Sequence, residues 1–266
     1  PGTLRSAGAL DRTIPCDPAH DFQPRAADLE SAAQGARSLL VNSPNNPTGV
    51  VYDRATWEAI AKTSIAHDLW LISDEVYDTQ VWQGEHVSPR SLQGMQARTL
   101  VIGSMSKSHA MTGSRIGWIC GPIPVIEHLT NFATHTTYGV PGFIQDAAEF
   151  ALSQGQELED EVAAPFRRRR RIALDLVAQQ NLVRVVPCSG AMYLMLDMRA
   201  TGLSGETFAH ALLDAHQIAV MPGESFGQAA AGHIRVAMTV ADDQFSKALT
   251  VLLSFAAEFD DNKRRF

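Results

Sequence analysis

Four short segments of this 266-residue sequence hold polar residues that core packing does not explain. They are Asn42-Ser-Pro-Asn-Asn-Pro-Thr-Gly49, Ser73-Asp-Glu-Val-Tyr77, Ser104-Met-Ser-Lys107 with its continuation Gly113-Ser-Arg-Ile-Gly117, and His233-Ile-Arg-Val-Ala237. Between them they offer an amine (Lys107), a carboxylate (Asp74), a phenol (Tyr77), a carboxamide (Asn46) and two guanidinium groups (Arg115, Arg235). A guanidinium binds oxyanions through a planar fork and stays charged. An amine becomes a nucleophile once it loses its proton. Singly, each segment has a bland reading: an Asn-Pro turn, a helix cap, a solvated cation. Each falls in a loop after an expected strand, however, and ligands in an open α/β sheet gather outside the carboxyl ends of strands. The first three should therefore converge on one site, and the order and spacing of the segments argue against coincidence.

Other chemistry-bearing patterns fail on context. Gly223-Glu-Ser-Phe-Gly227 fits a nucleophile elbow, which needs a strand, a sharp turn and a helix, with its partners following in the order Asp, His. Only a few small residues separate Gly227 from the next expected strand, and no histidine follows Asp242. Ser104-Met-Ser-Lys107 fits the S-x-x-K of penicillin-binding enzymes, but the S-D-N and K-T-G elements do not follow it. No G-x-G-x-x-G or Walker lysine loop is present. The nine histidines are scattered without a ligand-spaced pair, so no metal site is expected.

The elements that must position these residues alternate between short apolar runs and longer helical stripes. Leu39 to Val41, Leu69 to Ile72, Thr99 to Ile102 and Ile116 to Cys120 read as strands, and Arg54 to His67 as a helix with a stripe of Trp57, Ile60, Ala61, Ile65 and Ala66. That alternation predicts an α/β fold with a mostly parallel sheet covered by helices. Gln156 to Gln180 reads as a long polar-faced helix, with Pro165 as its candidate break. Beyond it, Val183 to Val186, Met192 to Leu196, Ile218 to Met221 and Ile234 to Met238 read as strands, with a helix near Glu206 to His216. These predict a smaller α+β domain. The expected division is residues 1–155 and 156–266, the long helix joining the two.

Composition narrows the class. Hydrophobic residues make up 45% and charged residues 19%, enough for a packed core. A net charge of −7 has the wrong sign for a general nucleic-acid binder. The run Arg167 to Arg171 therefore reads as a solvated helix face, with Glu157, Glu159, Asp160 and Glu161 upstream. No apolar run reaches membrane-spanning length. Three widely separated cysteines fit neither a disulfide framework nor a zinc spacing. A soluble, cytoplasmic protein is expected.

With all four segments matched in order, the sequence resembles the fold-type-I pyridoxal-phosphate enzymes, specifically the class I/II aminotransferases. S-x-S-K followed eight residues later by the arginine of G-x-R-x-G is the most specific block. The resemblance implies a pyridoxal-phosphate-dependent transferase-like large domain and an activity that moves an amino group between an amino acid and a 2-oxo acid through a Lys107 Schiff base. It implies that Ser104 and Arg115 hold the phosphate of pyridoxal 5'-phosphate, that Asp74 pairs with the pyridine nitrogen, and that Tyr77 and Asn46 donate to the phenolate oxygen. Val76 falls where a small apolar residue packs under the ring, and Arg235 where an arginine grips the substrate's α-carboxylate. A homodimer is implied too, with no nucleic-acid or membrane partner.

Family members carry, ahead of the point matching Leu39, an N-terminal arm, a glycine-rich phosphate-binding turn and a ring-stacking aromatic. Residues 1–38 hold no such turn or aromatic, so the large domain is expected to be incomplete at the N-terminus, which leaves the activity of this chain by itself in question. The cofactor residues are shared with decarboxylases, C–S lyases and synthases, and with non-catalytic ligand-sensing modules. These stay open as alternatives.

Overall fold

A computed structural model describes residues 2–263 of the chain. Two short helices, α1 (Gly2–Ser6) and α2 (Ala26–Ala33), precede strand β1 (Ser38–Asn42). There follow α3 (Arg54–Ala66), β2 (Trp70–Asp74), β3 (Thr99–Ser104), α4 (Met105–Ser108) and β4 (Gly117–Cys120). Helices α5 (Ile123–Thr136), α6 (Gly142–Ser153) and α7 (Gln156–Val177) come next. The remainder is β5 (Arg184–Val185), β6 (Tyr193–Asp197), α8 (Gly205–His216), β7 (Met221–Pro222), β8 (His233–Ala237) and α9 (Asp242–Lys263).

The first sheet has the order β1-β2-β3-β4, with the first three strands parallel and β4 antiparallel to β3. The register sets Asn42 beside Asp74 and Asp74 beside Ile102, so the residues following these strands leave the sheet from one edge. Helix α3 forms where expected. Asp53 caps it by accepting the Thr56 N–H at 2.7 Å, and Trp57, Ile60 and Ala61 pack against Val41 and Leu71 of the sheet. Burying a side chain the size of Ile60 or Leu71 stabilises by about 1.5–3 kcal/mol.

The second sheet, β5-β6-β8-β7, is antiparallel throughout. Leu194, Leu196 and Ile234 from it meet Phe208 and Leu212 of α8 and Phe245, Leu249 and Leu252 of α9 in one core. The strand expected at 218–221 is reduced to Met221–Pro222. Gln217, just ahead of that span, is still the left-handed cap of α8, so the chain only reaches the β8 ladder at Met221.

Helix α7 runs unbroken through Pro165. The lost hydrogen bond and the ring's clash with the preceding turn together cost about 3 kcal/mol or more, and neighbours on both sides hold the helix in place. Ala163 is buried, Phe166 packs against the second core, and Arg169 donates to Asp242 and to the Met238 carbonyl. The arginine run is thus partly structural. Arg168 also pairs with Asp242, Arg167 with Asp160, and Arg170 donates to the Cys188 carbonyl.

Candidate active site

Asp74 and Ser104 end parallel strands, Asn46, Val76, Tyr77 and Lys107 lie within four residues beyond one, and Arg115 lies ahead of the antiparallel β4. The loop after β1 is built on Asn42, whose Oδ1 accepts the Asn46 N–H at 2.8 Å and whose Nδ2 donates to the Asp74 carbonyl at 3.0 Å. Both proline peptide bonds in this loop, Ser43–Pro44 and Asn46–Pro47, are cis. The loop closes at Gly49, where φ is +74° and a Cβ would lie 2.9 Å from the Tyr193 carbonyl oxygen. Only glycine takes that conformation at that approach without strain.

Asp74 ends β2. Its carboxylate accepts the Val76 N–H at 3.3 Å and has no cationic partner among the described residues. Burial pushes its pKa up, the Val76 bond opposes the shift, and the neighbouring Glu75 adds to it. Glu75 itself is buried and held by His86 at 2.8 Å and Ser88 at 3.0 Å, which anchors the turn carrying Asp74. Val76 packs against the buried cluster of Tyr77, Ala191 and Met192. Burial, then the bond to Tyr193, raises the Tyr77 phenol above its ordinary range.

Ser104 ends β3 and caps α4, its Oγ accepting the Ser106 N–H at 3.1 Å. Lys107 is half-buried in that single turn. Its carbonyl accepts from Gln80 Nε2 at 3.1 Å, while its amine has no partner among the described residues. Arg115 stands apart. It is exposed, has φ +52°, and turns its guanidinium to the Thr112 carbonyl at 3.0 Å. Ser104 Oγ reaches the next residue's carbonyl, Ile116, at 3.4 Å, but no bond joins Arg115 to Ser104 or Lys107 among the described residues.

The fourth segment, expected in a loop after a strand, is itself the inner strand β8 of the second sheet, and it supplies Arg235. It donates from Nη1 to Asn46 Oδ1 at 2.9 Å, across 189 positions of sequence. Its guanidinium lies 4.4 Å from the Tyr193 ring centre and 5.0 Å from that of Phe226, stacked cation–π contacts on both. Its Nε is buried with no hydrogen-bond partner. Tyr193 also places its hydroxyl 3.3 Å from that of Tyr77. Sequence reasoning missed Tyr193 and Phe226. The first opens an apolar strand and reads as core, and the second lay inside the rejected elbow.

A hydrogen-bonded line therefore runs Asp74–Asn42–Asn46–Arg235, and a second contact route runs Tyr77–Tyr193–Arg235. Among the described residues, a half-buried carboxylate along them lacks a cation, a buried guanidinium N–H lacks an acceptor, and Lys107, in the neighbouring turn, has an amine without an acid. Polar groups are seldom left so without a purpose. A ligand with a protonated ring nitrogen, a phenolate oxygen and an amine-reactive carbon would satisfy Asp74, Tyr77 with Asn46, and Lys107 in turn. Pyridoxal phosphate fits that donor set. Among the described residues no cluster of histidine, cysteine or acidic side chains could hold a metal ion, and no helix is long and apolar enough to cross a membrane.

Comparison with known proteins points to one family. The family model described as aminotransferase class I and II matches residues 3–252. The arginine–pyruvate transaminase AruH of Pseudomonas aeruginosa is 42% identical over 254 residues, covering 95% of this chain and 65% of that protein. The aspartate/prephenate aminotransferase of Thermus thermophilus is 34% identical, covering 94% of this chain and 64% of its own length. The structure of an aromatic aminotransferase from Pyrococcus horikoshii superposes with a TM-score of 0.87 at 32% identity, covering 92% of this chain and 66% of that one. The chain spans less than two thirds of the length of these curated relatives.

Proposed function

The chain belongs to the class I and II aminotransferase family, and from that premise we propose that the whole protein is a pyridoxal-phosphate-dependent aminotransferase acting between an amino acid and a 2-oxo acid. The observation that carries this reading is that, among the described residues, the Lys107 amine and the Asp74 carboxylate have no oppositely charged partner and the buried Arg235 Nε has no acceptor, while Asn42 and Asn46 join the Asp74 and Arg235 segments.

When bound, pyridoxal phosphate supplies a carbon that bonds amines and a ring that takes up electrons from the substrate's Cα. Asp74, as a carboxylate, holds a proton at the ring nitrogen by opposite-charge stabilisation. Arg235 fixes the Asn46 amide: with Oδ1 accepting from the guanidinium, Nδ2 is the group left to donate to the phenolate oxygen beside Tyr77. Lys107 has no acidic partner among the described residues, and once substrate replaced it on the cofactor its amine would be the group placed to move a proton between Cα and C4′. Arg235 binds the substrate's α-carboxylate through the donors that Asn46 leaves free. Ser104 and Arg115 would hold the phosphate, and Val76 would pack against the ring.

The 42% identity to an arginine–pyruvate transaminase makes arginine and pyruvate the first pair to test. Homodimerisation is part of the proposal. Ile123, Phe132, Phe143 and Phe150 on α5 and α6 are 66–74% exposed, an apolar surface suited to a second subunit. A cytoplasmic setting accords with three unpaired cysteines, and we divide the chain into domains at 155/156. The test uses the full-length protein and its Lys107→Ala variant. The expected results are a visible cofactor band that borohydride fixes to Lys107, absent from the variant, and alanine formed from arginine and pyruvate. A bound cofactor with no product amino acid from arginine, aspartate or aromatic donors would refute the transaminase reading.

A further inference from the structure

We propose, resting on that reading, that Tyr193 is a positioning residue for the reaction: its hydroxyl sets the proton of Tyr77, and its ring seats Arg235. Tyr193 opens β6 opposite Ala237, which puts Arg235 two residues along the neighbouring strand on the same face. Its main chain is pinned on two sides. The Cys188 thiol donates to its carbonyl at 3.2 Å, and the Gly49 turn backs onto the same oxygen. The ring is therefore held with one face to the guanidinium, 4.4 Å away, and its edge to Tyr77, with ring centres 6.0 Å apart and planes at 78°.

The hydroxyl pair has a proton count that decides its role. Each phenol carries one hydrogen, and one bond of 3.3 Å joins them. With nothing else to bond, Tyr77 donates to Tyr193. Once an acceptor stands before Tyr77, that hydrogen turns to it, and the bond between the two phenols is kept only if Tyr193 turns its own hydrogen onto Tyr77. Tyr193 can do so, because no other group bonds its hydroxyl among the described residues. A Tyr77 that both accepts and donates is the stronger donor, through the mutual polarisation of linked hydrogen bonds. A core-filling aromatic would need the ring alone, and phenylalanine would then replace it without effect.

The full-length holoenzyme is compared with Tyr193→Phe, Tyr77→Phe and their double variant by titrating the bound cofactor's visible band with pH. Tyr193→Phe should raise the band's pKa by about half a unit to one unit, roughly three- to tenfold in the dissociation constant, as expected for one lost hydrogen bond. The double variant should match Tyr77→Phe, since Tyr193 acts through Tyr77. Tyr193→Leu, which also removes the ring, should weaken propionate binding about tenfold, with Tyr193→Phe within about twofold of the parent. An unchanged or lowered band pKa in Tyr193→Phe, full additivity in the double variant, or equal propionate losses in Phe and Leu overturns the assignment. A parent protein with no cofactor at Lys107 overturns the underlying aminotransferase reading and this inference together. A loaded parent whose Tyr193→Phe variant titrates identically overturns the inference alone.

Discussion

Replacing Arg235 by lysine tests the substrate end of the site, because it keeps the charge and removes only the fork. Arg235 spends Nη1 on Asn46, and its buried Nε is without a partner among the described residues, which leaves the Nε and Nη2 edge for two parallel bonds to a carboxylate. Lysine offers one ammonium in place of that edge and cannot also reach Asn46 in the same geometry. The change removes one charge-assisted bond, about 1.5–3 kcal/mol, and the Asn46 bond, about 1 kcal/mol. The sum of about 2.5–4 kcal/mol predicts a loss in kcat/KM of roughly seventy- to a thousandfold. The substrate carboxylate is held alike before and during reaction, so the loss should fall mainly on apparent affinity and less on the limiting rate. Single-turnover stopped-flow on the full-length protein, following the cofactor band against amino acid concentration, separates the two. Asn46 is half-buried and water can take the vacated place, so stability to urea should stay within about 1 kcal/mol of the parent. A loss in kcat/KM below about fivefold, or one confined to the limiting rate, would refute the carboxylate assignment.

Asp74→Asn should separate stability from function. Burial raises the Asp74 pKa in the folded chain, so between the unfolded and folded values the folded state binds more protons, and its stability falls as pH rises through that window. Without cofactor, the Asn variant should therefore unfold at the same or a higher temperature than the parent at neutral pH, the gap closing as pH falls into the carboxylate range. Added cofactor should reverse the order. A variant less stable than the parent without cofactor would contradict this. In the arginine run, Arg169→Ala should cost about 1–3 kcal/mol in urea unfolding, because its 13%-exposed side chain bonds both Asp242 and the Met238 carbonyl. Arg171→Ala, at an exposed residue with no partner among those described, should cost less than about 0.5 kcal/mol. Equal costs would show that the run acts as a charged face and not through its contacts.

Whatever rests on neighbours in sequence was legible in the chain itself. The apolar runs of β1, β2 and β3, the stripe of Trp57, Ile60 and Ala61, and the polar loops after the strands follow from local periodicity and turn chemistry, and the positions of Asp74 and Lys107 follow with them. Tertiary packing decided the rest. Pro165 reads as a break because a local rule has no term for the contacts on either side that keep α7 whole. The five arginines read as one solvated face because their partners, Asp242, Met238 and Cys188, lie up to 74 positions away. Tyr193 reads as core for the same reason: its hydroxyl finds Tyr77 across 116 positions, and its ring finds Arg235 only when β6 pairs with β8. Residue type and spacing determined which groups could react. Which of them lack a partner inside the chain, and so are left to bind something else, was decided only when distant segments came together and paired the rest.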